Sequence, residues 1–287
     1  MKFSVSSYSF ARWMMDGHTQ IETVKVAKDL GFESMCFSDI KPEDGFTKEE
    51  YAKKIKEECD KCGMEISDFI FPADFIAGSD GNTDEEIKRV KGMIDIAEIL
   101  GAKLVRHDAT RGETDKSVSF AQDLPVLARA CREVTEYAAT KGIRTCVENH
   151  GYYVQDSIRM EQLFNAVNHP NFGLLCDIGN FLCVDEDPVT AVSRVAPYTI
   201  RVHAKDMHTK SGMEINPGEG YSMTRGGNYI KGAVVGHGNV PVFQCLQILK
   251  RAGYDDIVCV EYEGADENIS GVRISLDNLK RFVSMLK

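Results

Sequence analysis

Four short apolar runs in this chain end in side chains that hold metals or move protons. The run "TCVENH" delivers Glu148, "LLCDIGN" Asp177, "RVHAKD" His203 and "VCVEYEG" Glu261. Each residue alone has an ordinary explanation: an Asp after a strand commonly forms a turn or cap, and a strand-end His is commonly a hydrogen-bonded surface group. Together they ask for more, because burying acid is costly unless the charge is used. Three carboxylates meeting without a cation repel, and one of them needs a strongly raised pKa. A divalent cation removes that conflict. Three oxygen donors and one imidazole suit Mn²⁺, Mg²⁺ or Co²⁺ better than a structural Zn²⁺ site, which favours Cys and His.

A cation in such a site chelates adjacent oxygens of a polyol or ketose, polarises the carbonyl and stabilises an enediolate. Removing the proton beside that carbonyl takes a base, and returning it takes an acid. Glu148 and Glu261 are the expected pair, one on each face of the substrate. The expected activity is therefore a metal-dependent isomerase or epimerase of a sugar, sugar phosphate or cyclitol. A lyase or dehydratase starting from the same enediolate is the alternative. Neighbouring residues are expected to bind substrate. His107 and Asp108 end another run in "LVRHDATRGE", with Arg106 or Arg111 available to an anionic group. His150 shares the face of Glu148, and Lys205 that of His203, where it faces a developing oxyanion or a salt bridge. His237 joins the site if its loop folds over it. Phe10 and Trp13 follow the first run and offer the sugar an apolar wall.

These residues lie far apart in sequence, so the elements must bring them together. Eight apolar runs alternate with amphipathic stretches: "KFSVSSY", "SMCFSD", "EISDFIF", "KLVRHD", "RTCVEN", "FGLLCD", "TIRVHAKD" and "IVCVEYEG". Several helical stretches end in Gly, as at Gly31, Gly101, Gly142 and Gly253, the usual left-handed stop. Alternating strands and helices mean parallel βαβ units, and eight of them in one domain spanning residues 1–287 predict a (β/α)8 TIM barrel. A doubly wound sheet would want a GxGxxG after the first strand, and "SYSFARWMMDGH" has none. In a barrel all strand ends point to one face. Alternation then sends Cys259, Glu261 and His203 to the axis, and Val258, Val260, Tyr262, Ile200, Val202 and Ala204 to the helices. A Gly-rich stretch at about 207–238 lacks clear periodicity and is expected to lie over the catalytic face as a long loop.

Composition narrows the classes further. The 287 residues are 43% hydrophobic and 27% charged, ordinary for a globular protein. A net charge of −10 disfavours nucleic acid, so the expected partner is a small-molecule carbohydrate or cyclitol. Most of the nine cysteines sit in apolar runs as small buried hydrophobes. With no signal-like start, this points to a reducing cytoplasm. Cys59 and Cys62 form a CxxC inside a helical pattern, and with no second CxxC a zinc site there is not expected. No run is long enough to span a membrane.

The strand-end series "VENH", "CDIGN", "VHAKD" and "VEYEG", with "GHGNVPV" further on, resembles the xylose-isomerase-like TIM-barrel superfamily, over nearly the whole chain. In pattern it is most similar to ketose 3-epimerases and to inosose isomerases or dehydratases. The resemblance implies a divalent metal, often Mn²⁺, with Zn²⁺ also within range, held by Glu148, Asp177, His203 and Glu261. It also implies that Glu148 and Glu261 are the acid/base pair. Two departures touch the substrate pocket: Cys36 stands where many relatives carry Glu, and Gly236-His237-Gly238 replaces an acidic triplet. Barrels of this kind often pair, which makes the 207–238 stretch a candidate contact in a homo-oligomer. An AP-endonuclease-like DNA repair enzyme would want a basic groove and more histidines than the seven present. A non-catalytic sugar-binding barrel would have no use for the complete quartet.

Overall fold

Every expected run forms a strand, and the strands close on themselves. The computed structural model describes residues 1–111 and 118–286. The first seven barrel strands are β1 (Lys2–Ser6), β2 (Ser34–Ser38), β3 (Glu65–Phe71), β4 (Leu104–His107), β5 (Arg144–Glu148), β6 (Phe172–Asp177) and β7 (Thr199–Ala204). An excursion then adds β8 (Asp206–Lys210), β9 (Ser222–Met223) and β10 (Tyr229–Ala233) before the last barrel strand, β11 (Ile257–Val260). β11 pairs in parallel with both β7 and β1, so the eight-stranded sheet has no edge. The fold is the (β/α)8 TIM barrel, not a doubly wound sheet.

Alternation along each strand sorts the side chains into two packing systems. Outward residues such as Val105, Val147, Val202, Val258 and Val260 join the core between barrel and helices. Cys36, Ile70, Leu104, Cys146, Leu175 and Cys259 form a separate cluster that fills the barrel interior. One residue departs from simple alternation. Ile200, expected against the helices, packs on the interior cluster, because the pairing of β6 with β7 shifts register between Leu174 and Leu175. Below the mouth, Arg201 of β7 donates from Nε to Asp68 Oδ1 of β3 at 2.8 Å. β7 and β3 lie opposite each other in the ring, so this pair spans the interior.

Helix ends follow their sequence signals. Thr47 and Glu50 form a reciprocal capping box at the start of Lys48–Cys62, and Gly63 closes that helix at φ 60°. Cys59 and Cys62 both lie in this helix, and all nine cysteines are free. Among the described residues no helix is long and apolar enough to cross a membrane.

The stretch expected to be a long loop is partly a sheet. β8 and β10 pair antiparallel from Asp206–Ala233 to Lys210–Tyr229, and β9 adds to β10. Its strands are only two to five residues long, with buried residues at scattered positions, so they carry no sustained apolar period for a sequence reading to find. Asp206 anchors the excursion at its base. Its carboxylate accepts from the backbone N–H groups of Met207, Gly236, Gly238 and Val240 at 2.8–3.0 Å. The Gly236-His237-Gly238 triplet thus forms part of the turn that closes the excursion.

Candidate metal centre

Glu148, Asp177, His203 and Glu261 converge at the C-terminal mouth of the barrel. Glu148 and Asp177 lie two residues beyond the interior residues Cys146 and Leu175, and Glu261 lies two beyond Cys259. Each therefore keeps the inward face while reaching the rim. One ligand atom from each of the four lies within 4.8 Å of the others, and all four residues are buried. His203 Nδ1 is 3.7 Å from Glu148 Oε1 and 3.6 Å from Glu261 Oε1.

Every carboxylate is held by the shell around it. Asp177 Oδ1 accepts from the backbone N–H groups of Gly179 and Asn180 at 2.8 and 3.1 Å. Asn149 brackets the same residue, donating to its carbonyl and accepting from its N–H, both at 2.8 Å. Gly179 is required here, since a Cβ would sit 2.6 Å from the carbonyl oxygen of Lys205. Arg106 Nη2 bridges Glu148 Oε2 at 2.5 Å and Asp108 Oδ1 at 2.9 Å, while Asn180 Nδ2 donates to Glu148 Oε1 at 3.3 Å. Lys205 Nζ lies 2.8 Å from Glu261, 3.1 Å from Glu263 and 3.5 Å from Asp177, and donates to Asn180 Oδ1 at 3.1 Å. Of the two roles expected for Lys205, it fills the salt-bridge one.

The electrostatics match the geometry. Burial pushes Asp177 up to about 7, with Glu148 and Glu261 adding to the rise against the pull of Lys205. Burial also works against ionised Glu261, but Lys205 and His203 outweigh it and hold that carboxyl well below its usual range. For His203, burial opposes the proton, and Cys259 and Glu261 override it, raising the imidazole well above its usual value. Asp177 Oδ2 and both ring nitrogens of His203 are buried without a hydrogen-bond partner. Buried polar atoms left this way are costly, and a cation satisfies Asp177 Oδ2 and one of the two ring nitrogens. The donor set fits a divalent ion that accepts oxygen and imidazole ligands.

Above the quartet lies a cavity of about 230 Å³. Glu148 and Glu261 line it directly, with Tyr8, Arg106, Asp108 and His150. His150 is paired through Nδ1 with Asp108 Oδ1 at 3.0 Å. Burial works against ionised Asp108, yet Arg106 and His150 draw it down to about 2.

Three expected substrate contacts lie elsewhere. His107 has the opposite parity to Arg106 and Asp108, is fully buried, and meets the edge of Phe75 with 5.6 Å between ring centroids. Its Nδ1 donates to the carbonyl of Asp108 at 2.9 Å, and burial pushes its pKa down to about 4. His237 is exposed on the turn tied to Asp206 and stands outside the cavity lining. Trp13 stacks on His18 at 3.7 Å between centroids, also outside the lining. Tyr8 supplies the aromatic wall instead. Tyr8, Asn180 and Glu263 belong to the site without any strand-end signal of their own. Glu263 shares the parity of Cys259 and Glu261, so alternation points to it, whereas Tyr8 and Asn180 lie in 3-10 turns just beyond β1 and β6, where alternation gives no signal.

The family description "xylose isomerase-like TIM barrel" matches residues 24–282. The chain belongs to that family. An inosose dehydratase from Histophilus somni (strain 129Pt) is 24% identical over 269 residues, covering 86% of this chain and 87% of that one. Among solved structures, the IolI protein with a binding zinc atom superposes with a TM-score of 0.78 at 15% identity, covering 100% of this chain and 99% of that one. A D-psicose 3-epimerase with D-tagatose from Clostridium cellulolyticum H10 gives 0.74 at 14% identity, with 99% of each chain covered. At these identities the structural likenesses establish the barrel and nothing finer.

Proposed function

We propose that this family member is a divalent-metal-dependent isomerase or epimerase of a sugar or cyclitol, working by proton transfer beside a carbonyl. The carrying observation is the convergence of four ligand atoms within 4.8 Å at the barrel mouth, with two of the four residues lining the cavity. Glu148, Asp177, His203 and Glu261 hold the ion, with Mn²⁺ the first choice and Mg²⁺, Co²⁺ or Zn²⁺ as others. A bound divalent ion supplies Lewis acidity that polarises a carbonyl and acidifies the adjoining C–H bond. Lys205 keeps Glu261 ionised, so Glu261 is poised to take the proton from that carbon. Arg106 and Asn180 fix Glu148 in the quartet, where it takes a proton from solvent and passes it to the opposite face of the substrate. His150, oriented by Asp108, stands at the cavity wall to contact substrate hydroxyls.

A second reading, loss of water to give a lyase, is favoured by the inosose dehydratase relative. Both begin with the same proton abstraction and differ in what leaves afterwards. One experiment covers both. Metal-stripped protein is given Mn²⁺ in D₂O with a panel of ketoses and inososes and followed by NMR. Deuterium incorporation beside the carbonyl, with carbon count and hydroxyls intact, supports isomerisation or epimerisation. Appearance of an enone or dehydrated product supports the lyase. Absence of exchange on every member, with Mn²⁺ bound, sinks both.

A further inference from the structure

The quartet cavity does not end at the barrel mouth. Tyr8, Arg111, His150, Lys205 and Glu263 line it and also line a second, larger chamber of about 590 Å³. The two spaces therefore adjoin at these five side chains. The excursion forms one wall of the outer chamber, through Met207, Ser222, Ile230 and Lys231. Tyr152 and Cys183 line the chamber as well. Cys183, Met207 and Ile230 are buried together as a small apolar cluster of their own. Tyr152 is held in the left-handed region at φ 65°, a conformation that disfavours a bulky residue. Its hydroxyl donates across the chamber to the carbonyl of Met223 at 3.3 Å. Gly232 is needed in that wall, because a Cβ there would lie 2.3 Å from the carbonyl oxygen of Glu263.

This outer chamber exceeds what the carbonyl chemistry uses. Two aromatic rings, Tyr8 and Tyr152, expose about two-fifths of their surface there, 42% and 41%. Aromatic faces beside an apolar floor bind the flat faces of rings. The charged groups between the two spaces are mixed: Glu263 stands with Arg111 and Lys205, and Lys205 is already shared among Glu261, Glu263, Asp177 and Asn180.

We propose that the outer chamber is a subsite for a second ring, so that the substrate is a glycoside whose sugar ring carries a carbonyl, rather than a free monosaccharide. The sugar ring sits at the quartet, and its aromatic or sugar aglycone sits between Tyr8, Tyr152 and the Cys183–Met207–Ile230 floor. This rests on the proposed carbohydrate chemistry of the quartet. Calorimetry on Mn²⁺-loaded protein tests it with four probes: methyl β-D-glucopyranoside, 4-nitrophenyl β-D-glucopyranoside, cellobiose and glucose 6-phosphate. The expected result is that one or both ring-bearing glucosides bind roughly tenfold tighter than the methyl glucoside. Tightening by the nitrophenyl compound alone assigns an aromatic aglycone, and by cellobiose alone a second sugar. Ser222→Trp, which fills the chamber from the exposed excursion, brings that ratio to about one, while Ser222→Thr keeps it. Equal affinity of all three glucosides, no binding by any, a ratio unmoved by Ser222→Trp, or tightest binding of glucose 6-phosphate overturns the subsite. Deuterium exchange on free ketoses and inososes reads the quartet chemistry separately, so failure of one does not mimic failure of the other.

Discussion

At the residue scale, Asp177 and Arg106 do opposite work on the same charge. Asp177 Oδ1 is consumed by two backbone N–H groups, while Oδ2 is left facing the quartet. Replacing Asp177 with Ala removes a ligand the other three cannot replace, and calorimetry with Mn²⁺ is expected to show affinity falling by about 100-fold or more. Unchanged uptake would remove the metal centre from consideration. Arg106 is the counter-ion that lets Glu148 be buried before any cation arrives. Arg106→Leu strands both Glu148 and Asp108, and breaking such a buried pair costs about 3–5 kcal/mol. Denaturation is expected to show that loss in chelator and a smaller one with Mn²⁺ present, since the ion takes over part of the neutralisation. An equal loss in both conditions would mean that the ion does not sit beside Glu148.

At the element scale, the barrel strands are legible in the sequence and the excursion is not. Each barrel strand is a short apolar run buried on both faces, closed by polar residues and followed by a helix with a readable cap or Gly stop, and such runs stand out without any tertiary knowledge. The strands β8 to β10 offer no such contrast, being short, antiparallel and buried only at scattered positions. Their base is tied by one buried carboxylate, Asp206, and their far end by Asp185, which accepts from Thr224, Gly226 and Asn228. Asp206→Ala leaves four backbone N–H groups without their acceptor. The expected cost is about 1–3 kcal/mol, concentrated in the excursion. Limited proteolysis is expected to cut Asp206→Ala between residues 211 and 221 well before the barrel unfolds. Cleavage no faster than in the parent protein would show that other contacts hold the excursion.

At the scale of the whole molecule, His107 ties stability to pH. Its pKa falls from the usual 6.5 to about 4 on folding because burial opposes the charged form. The unfolded chain therefore binds more protons than the folded one between those values, and the fold loses stability as pH drops through that window. Each tenfold difference in proton affinity between the two states is worth about 1.4 kcal/mol, so the loss amounts to roughly 3 kcal/mol by pH 4. Urea denaturation of the parent and of His107→Gln at pH 7 and pH 4.5 is expected to show a smaller pH-dependent decrease in the variant. Identical decreases would assign acid sensitivity to other groups. Parity, the rule that finds the quartet, is what excludes His107 from the site: an even step along β4 from Arg106 reaches the cavity at Asp108, and an odd step reaches the helix layer.

The sequence by itself determined the eight βα units, their closure into a barrel, and the four rim residues able to hold a cation. It could do so because apolar period and strand-end chemistry are local properties of the chain. Only the tertiary structure decided which rim residues face the cavity with them: Tyr8, Glu263 and the Asp108–His150 pair in, His107, His237 and Trp13 out. It also decided that Arg106 bridges Glu148 and Asp108. Those outcomes depend on strand register, on the one-residue shift between β6 and β7, and on an excursion held by hydrogen bonds to the carboxylates of Asp206 and Asp185. Such long-range pairings leave no periodic trace in the residues that make them.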